Sequence, residues 1–197
     1  VRDLVFERLS RKVDDLETYV THNEIVRYRC EGIGVLTPEQ AIAYSTVGPV
    51  LRASGVPYDL RRADPYSIYD RFDFDVAVRY HGDVYDRYLV RIDEIRQSIR
   101  ILEQVLRDIP AGPIQEGKPQ YAVRVPAGEA YGRVEGPKGE LGFYVVSNGK
   151  TNPWRYHVRA PSFINLSPLS VMSKGSKIAD AVVILGSIDI VLGETDR

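Results

Sequence analysis

The stretch "DVYDRYLVRIDEIRQSIRILEQVLRDIP" (83–110) contains the strongest periodic pattern in the chain. Its apolar residues recur at alternating intervals of three and four, which is the spacing of one continuous seam along a helix. They are Tyr85, Tyr88, Ile92, Ile95, Ile99, Leu102, Leu106 and Ile109. The charged residues between them, including Asp86 and Arg87, are predicted to cover the other faces. Pro110 disfavours helical geometry at the preceding residue, so the pattern predicts a long helix over 85–109.

Two further helices are predicted upstream. Residues 3–20 carry apolar side chains at helical spacing, which is typical of an amphipathic helix. The stretch "LTPEQAIAY" (36–44) begins with an N-cap threonine and a proline, and Gln40 completes a capping box. This helix is expected to end near Gly55. Residues 56–84 are dense in Tyr, Asp and Arg and are predicted to form an ordered loop region, with a composition typical of interface cores.

The second half of the chain changes to a period of two. Strands are expected near 129–135, 140–147 and 154–159, with "GPKG" and "SNGKTNP" as turns. A short helix is expected over 163–173, and an apolar helix suited to burial on every side over 176–186. The order of elements predicts an α+β fold, with a helical part at 1–110 and a part at 111–197 made of antiparallel hairpins and a buried C-terminal helix. Together they are expected to form one domain.

Composition excludes several function classes. The formal net charge is −1 and the isoelectric point about 6.4, whereas nucleic-acid-binding proteins usually carry a basic excess. No apolar run reaches the length of about 18 residues that spans a bilayer. One cysteine and three scattered histidines argue against a zinc or iron–sulfur site made by this chain alone. Cys30, with no base nearby in sequence, is expected to be an inert thiol.

Two local patterns could suggest ligand sites, but each has a simpler interpretation. The glycine-rich "GRVEGPKGELG" (132–142) lacks the spacing of a phosphate-binding loop, so it is interpreted as a hairpin turn with Glu135, Lys138 and Glu140 exposed or facing a partner. Asp70, Asp73 and Asp75 could bind a hard cation. The neighbouring Arg71 and aromatic residues favour an ion-paired, packed loop instead. The residues show no complete catalytic apparatus.

Five motifs in order carry a resemblance to a known family. They are "GPVLRASGVPYDLRRADPYSIYDRFDFDV" (48–76), "DVYDRYLVRIDEIRQSIRILEQ" (83–104), "PKGELGFYVVS" (137–147), "RAPSFINL" (159–166) and "ILGSIDIVLGETDR" (184–197). Together they resemble the C-terminal half of the D (49 kDa-type) subunit of proton-pumping NADH:quinone oxidoreductase, respiratory complex I. That subunit is related to the large subunit of nickel–iron hydrogenases, so the resemblance implies a hydrogenase large-subunit-like fold and half of a larger subunit.

The resemblance gives the last residues a chemical meaning. Hydrogenase large subunits end in a D-P-C-x-x-C-x-x-R or -H pattern whose two thiolates bind nickel and iron. In this sequence Asp189 and Arg197 fall in register, while Val191 and Glu194 stand at the cysteine positions. The resemblance therefore implies a metal-free chamber for a quinone headgroup, with Asp189, Val191, Glu194, Thr195, Asp196 and Arg197 as candidate wall residues. Asp196 and Arg197 are expected to form a pair, either at the chamber or as a seal at a subunit interface.

The resemblance also implies how the chain works. It would be one subunit of the oxidoreductase, not catalytic alone, and would bind no cofactor. Quinone would be the substrate, and electrons from NADH would arrive through iron–sulfur clusters in partner subunits, chiefly the B-type subunit, with the C-type subunit as a further neighbour. The subunit would lie peripherally on the cytoplasmic, matrix or stromal side of a membrane. A relative fed by ferredoxin or another donor, and a purely structural assembly domain, are alternatives.

Overall fold

The chain is described here from a computed structural model, which covers residues 3–115, 117–119 and 122–196. Helices alternate with loops up to residue 108, a small sheet follows, and short helices end the chain. The helices are α1 (Ser10–Leu16), α2 (Glu24–Cys30), α3 (Pro38–Ala43), α4 (Gly48–Ala53), α5 (Leu60–Ala63), α6 (Val84–Asp108), α7 (Pro161–Leu166), α8 (Leu169–Ser173), α9 (Ile178–Ile188) and α10 (Leu192–Thr195). The strands are β1 (Gly128–Gly136), β2 (Gly139–Ser147) and β3 (Arg155–Arg159). This architecture confirms the predicted α+β class.

The long helix α6 is confirmed, but the prediction that its charged residues lie outside is wrong for two of them. Asp83 caps the helix by accepting the Asp86 N–H at 2.8 Å, and the helix ends two residues before Pro110. Asp86 and Arg87 are both buried. Each is buried because it bonds backbone groups of the loops around it, which periodicity in one helix cannot reveal.

The N-terminal helix is also confirmed. π-helical turns, Asp3–Leu9 and Glu17–Thr21, flank α1. This helix lies beside α6, and the Tyr85 hydroxyl donates to the Thr21 carbonyl at 2.7 Å. Val13 is buried, whereas Leu4, Leu9 and Leu16 remain exposed. Part of the apolar stripe predicted from the sequence is therefore exposed in this structure.

The single helix expected from Thr37 to Gly55 is broken in two. The capping box of Thr37 and Gln40 is present, but α3 ends at Ala43 and α4 begins at Gly48. Pro49 explains the break, because proline cannot continue a helix through the preceding turn. Gly48 adopts a φ of 65°, and Gly55, with a φ of 89°, ends the second helix as predicted.

Residues 56–84 form the predicted ordered loop region, with only α5 and a 3₁₀ turn, Tyr69–Arg71, as regular structure. Phe72 and Phe74 pack on Ile101 of α6. Arg100 pairs with Asp73 and, at 3.0 Å, with Asp75. This confirms the ion-paired interpretation for these two carboxylates, although their partner comes from α6 and is not the neighbouring Arg71. Within the described ranges, no three His, Cys, Asp or Glu side chains converge as a metal site.

The sheet is antiparallel in the order β1-β2-β3, with Gly136 opposite Gly139 at the first turn. Because side chains alternate across a sheet, the strand register places six apolar or aromatic residues on one face, which we call the outer sheet face. They are Val134, Leu141, Phe143, Val145, Tyr156 and Val158. Phe143 is 45% and Tyr156 57% exposed. The opposite face carries charged residues, and its turn end packs against the helices.

Three predictions for the C-terminal part need correction. The side chains of Glu135 and Glu140 are buried and that of Lys138 is mostly buried, although exposure or a partner was expected, because each bonds another part of this chain. The segment 163–173 forms two helices, α7 and α8, since Pro168 interrupts it. Helix α9 is buried on one face only, through Ile184 and Ile188.

The main core contains these two isoleucines with Leu36, Val50, Leu51, Val84 and Met172.

The other face of α9 is open, with Ile178 91% and Val182 71% exposed. We call this the outer face of α9. Among the described residues, no helix is both long and apolar enough to cross a membrane.

Candidate functional site

Asp189 lies at the first residue after α9 and begins the C-terminal segment. It adopts the left-handed conformation, with φ 61° and ψ 53°, which a non-glycine residue adopts only where its surroundings impose it. Its carboxylate pairs with Lys138 at the β1–β2 turn and with Arg91 of α6, whose Nε lies 3.4 Å away. Arg91 also donates to the Ile188 carbonyl at 3.2 Å. Two cations from different elements therefore hold the start of the segment.

Arg87 fixes the end of α9 from a position one turn before Arg91 on α6. Its guanidinium donates to the Ser187 hydroxyl at 2.8 Å and to the carbonyls of Gly82 and Gly34 at 2.8 and 2.9 Å. Burial, reinforced by the nearby positive charge of Arg91, lowers the pKa of Arg87 to about 10. A fully buried cation held by neutral acceptors is costly to replace, because its partners lose their donors with it.

Glu194 is held firmly by Ser162. The Glu194 carboxylate accepts the Ser162 N–H at 3.1 Å and the Ser162 hydroxyl, and the same hydroxyl oxygen accepts the Val191 N–H at 3.2 Å. Ser162 is buried at the start of α7. This serine cannot be identified from the sequence, because nothing in the motif "RAPSFINL" marks its hydroxyl as the group that holds a segment remote in sequence.

The remaining candidates lie around an open depression at the end of the chain. It is lined by Phe163 and by Leu192, Gly193, Thr195 and Asp196. Val191 is 47% exposed, and the Thr195 hydroxyl donates to the Val191 carbonyl at 3.0 Å. Arg197 lies outside the described residues, so the expected pair with Asp196 remains a prediction.

A second polar cluster surrounds Arg52 of α4, which is buried. Arg52 donates to Glu94 of α6 at 2.8 Å and to Glu135 of β1 at 2.9 Å, and Asp59 lies 3.8 Å away. Burial acts to lower the pKa of Arg52, but these three carboxylates outweigh it and raise that pKa. Burial raises the pKa of Glu135. We call these four side chains the Arg52 cluster. It joins α4, α6, the loop region and the hairpin.

A cavity of about 350 Å³ is lined by residues of both polar groups. Arg52, Glu94 and Glu135 come from the Arg52 cluster, and Arg91, Lys138 and Asp189 surround the start of the C-terminal segment. That volume holds several water molecules at about 30 Å³ each. The C-terminal segment therefore begins at the wall of a polar cavity and not in an apolar core.

Cys30 takes no part in either cluster. Burial raises the pKa of its thiol, and the charge of Asp83 adds to the effect. A raised pKa keeps the thiol protonated at neutral pH, which agrees with the inert role expected from the sequence.

The fold and the polar C-terminal segment together identify the class of protein. The fold is an α+β chain with apolar faces open on its N-terminal helix, on α9 and on the sheet. Its polar terminal segment lies at the edge of a cavity. The family model for the respiratory-chain NADH dehydrogenase, 49 Kd subunit, matches residues 2–124 and 118–197. The chain belongs to this family.

Individual relatives agree. The chain is 57% identical to the first D-type subunit of NADH-quinone oxidoreductase from Roseiflexus sp. (strain RS-1), over 93% of this chain and 51% of the relative. It is 57% identical to the D-type subunit of the same enzyme from Dehalococcoides mccartyi, over 98% and 52%. It is 45% identical to the H-type subunit of NAD(P)H-quinone oxidoreductase from the organellar chromatophore of Paulinella chromatophora, over 94% and 54%. The chain thus spans about half the length of the curated relatives it matches.

Proposed function

We propose that this chain forms part of the wall of the chamber in which a NADH:quinone oxidoreductase reduces quinone. The observation that carries the proposal is the environment of Val191 and Glu194. In the hydrogenase pattern these positions hold cysteine ligands of a metal. Val191 has no ligating atom, and the Glu194 carboxylate is occupied by the Ser162 N–H and hydroxyl. The segment can therefore shape a chamber for an organic headgroup, whereas its residues do not suit a nickel–iron centre.

The residues of the segment also suggest which part of quinone reduction belongs to this chain and which to the partner subunits. Electrons enter from iron–sulfur clusters in partner subunits, the last of them in the B-type subunit, and this chain binds no cofactor. It supplies cavity wall and polar side chains, with Asp189, Thr195 and Asp196 within the segment. Quinone reduction consumes protons as well as electrons, so a chamber with polar walls favours it over an apolar one. Through this step the complex couples electron transfer to proton translocation.

Partner contacts are proposed for the open apolar faces. The outer sheet face, the outer face of α9 and the N-terminal helix each require cover. The N-terminal half of the subunit, present in the relatives, and the B-type and C-type subunits are the proposed neighbours. The subunit then lies peripherally on the cytoplasmic, matrix or stromal side of the membrane, attached through those partners. A purely structural role in assembly is the second candidate, because these faces are extensive and the Glu194–Ser162 contact also seals the fold.

Residues 1–197 expressed alone are expected to self-associate, and to become monodisperse when co-expressed with the N-terminal half and the B-type subunit. Contiguous exposed apolar faces of this kind cause association until they are covered. Light scattering coupled to size-exclusion chromatography measures both states. Val182→Lys on the outer face of α9 should increase the monomer fraction of the isolated chain and reduce co-assembly. A monodisperse wild-type monomer with one sharp unfolding transition would contradict the proposal.

Thr195→Met tests the chamber itself. The larger side chain would enter the depression beside Phe163 without changing charge. We expect the KM for quinone, or the affinity of a quinone-site inhibitor, to change by about tenfold, which corresponds to about 1.4 kcal/mol. Electron transfer from NADH to a soluble artificial acceptor, taken upstream of the chamber, should be retained.

The matched control is Thr151→Met, because Thr151 is exposed in the turn between β2 and β3. Both variants are measured in complexes whose assembly has been verified. Equal kinetics for Thr195→Met and Thr151→Met would remove the chamber proposal and favour the structural role. A ferredoxin-driven relative would instead show quinone reduction with ferredoxin and none with NADH.

A further inference from the structure

One side chain of the β1–β2 turn joins the hairpin to the start of the C-terminal segment. Lys138 extends from the turn and pairs with the carboxylate of Asp189. Its backbone is fixed from behind, because the buried Asn165 amide donates to the Lys138 carbonyl at 3.1 Å and to the Val47 carbonyl at 3.1 Å. The backbone of Lys138 is therefore held in place, and its ammonium group projects from it toward Asp189.

Arg91 pairs with the same carboxylate oxygen, with its Nε 3.4 Å away. It is carried by the long helix α6, and its second contact, to the Ile188 carbonyl at 3.2 Å, fixes the peptide that precedes Asp189. The left-handed backbone of Asp189 is unfavourable for a non-glycine residue, and it persists only when its surroundings compensate for it. The two cations contribute to that compensation. Lys138 donates a charge-assisted hydrogen bond to the Asp189 carboxylate, and Arg91 adds an ion pair and fixes the preceding carbonyl.

We infer that Lys138 and Arg91 are positioning residues for the quinone chamber, which act by holding Asp189 so that the segment 189–196 begins in a fixed place and direction. The inference rests on the proposed function. From Asp189 the chain runs two residues to Val191, whose N–H is held by Ser162, and then into α10. With both ends of that short connection held, the depression around Thr195 keeps one shape.

The experiment uses the assembled complex with the full-length subunit and compares Lys138→Met with Lys138→Arg. We expect Lys138→Met to raise the KM for quinone about tenfold while kcat changes less than about twofold. Lys138→Arg, which preserves the charge, should recover most of the affinity. Lys150→Met is the matched control, because Lys150 is exposed at the other turn of the same sheet.

A double-mutant cycle with Asp189→Asn identifies the route of the effect. If Lys138 acts through Asp189, the double variant should have the same KM as Asp189→Asn alone. Fully additive effects, or a Lys138→Met variant that behaves like Lys150→Met, would overturn the inference. If Lys138→Met fails to assemble, Lys138→Gln takes its place, since it preserves a hydrogen-bond donor without the charge. An unchanged KM in Lys138→Gln would be equally decisive against it.

The same data separate this inference from the proposed function. Should Asp189→Asn itself leave the quinone KM unchanged, the segment is not part of the chamber and the proposed function fails. Should Asp189→Asn raise the KM while Lys138→Met does not, the chamber stands and only the positioning role is lost.

Discussion

Replacing Arg52 with methionine should reduce the stability of the subunit by about 3–5 kcal/mol, because a buried cation would be removed from beside buried carboxylates. Glu135 would lose its closest cation, at 2.9 Å, and Glu94 its contact at 2.8 Å. We expect little assembled complex and a large fall in its thermal midpoint, measured by calorimetry and by the yield of the complex.

Arg155→Met is the control, since Arg155 is exposed on β3. It should change stability by no more than about 0.5 kcal/mol. Arg52→Lys should fall between the two, because an ammonium group cannot reproduce the fork of the guanidinium toward two carboxylates. Equal stability of Arg52→Met and Arg155→Met would show that the Arg52 cluster makes no net contribution to the free energy of unfolding.

Gly48→Ala should be nearly as damaging, although it adds only one methyl group. Gly48 faces the β1–β2 turn so closely that a Cβ would lie 2.5 Å from the Lys138 carbonyl oxygen and 2.6 Å from the Gly139 Cα. Those atoms are backbone and cannot rotate away, so α4 and the hairpin must separate. We expect a loss of about 3 kcal/mol, from this overlap together with the left-handed backbone.

Gly149→Ala isolates the two contributions. Gly149 also has a left-handed φ, of 84°, but a Cβ there would have no neighbour within 4 Å. It should cost only about 1 kcal/mol. Thermal unfolding of both variants in the assembled complex gives the comparison. A similar loss of stability in the two variants would mean that the hairpin tolerates displacement. The close approach of Gly48 to the turn would then not contribute to stability.

Local patterns in the sequence were sufficient for most of the elements. The seam in 85–109 predicted α6, the capping box of Thr37 predicted the start of α3, and the period of two predicted the three strands. Each of these signals depends on a few neighbouring residues. The break at Gly48-Pro49 was missed because the strong start at Thr37 was extended too far, past a proline that could have marked the end.

Buried charge could not be predicted in the same way. Arg52, Arg87 and Glu135 have partners that are remote in sequence, and a single charged residue in a periodic pattern is usually solvated. The residues of the site likewise fall into those that the sequence could indicate and those that it could not. The resemblance indicated Asp189, Val191 and Glu194, whereas Lys138, Arg91 and Ser162, which hold them, emerge only when the hairpin, α6 and α7 meet.

The outer sheet face has a consequence for the cell. Its apolar residues point away from this chain's own core, so copies made in excess of their neighbours have nothing to cover them. Such copies are substrates for chaperones and proteases. Under the proposed function, synthesis of this chain should be matched in amount and timing to that of the proposed partners. A gene order that places their coding regions in one transcript would meet this requirement directly.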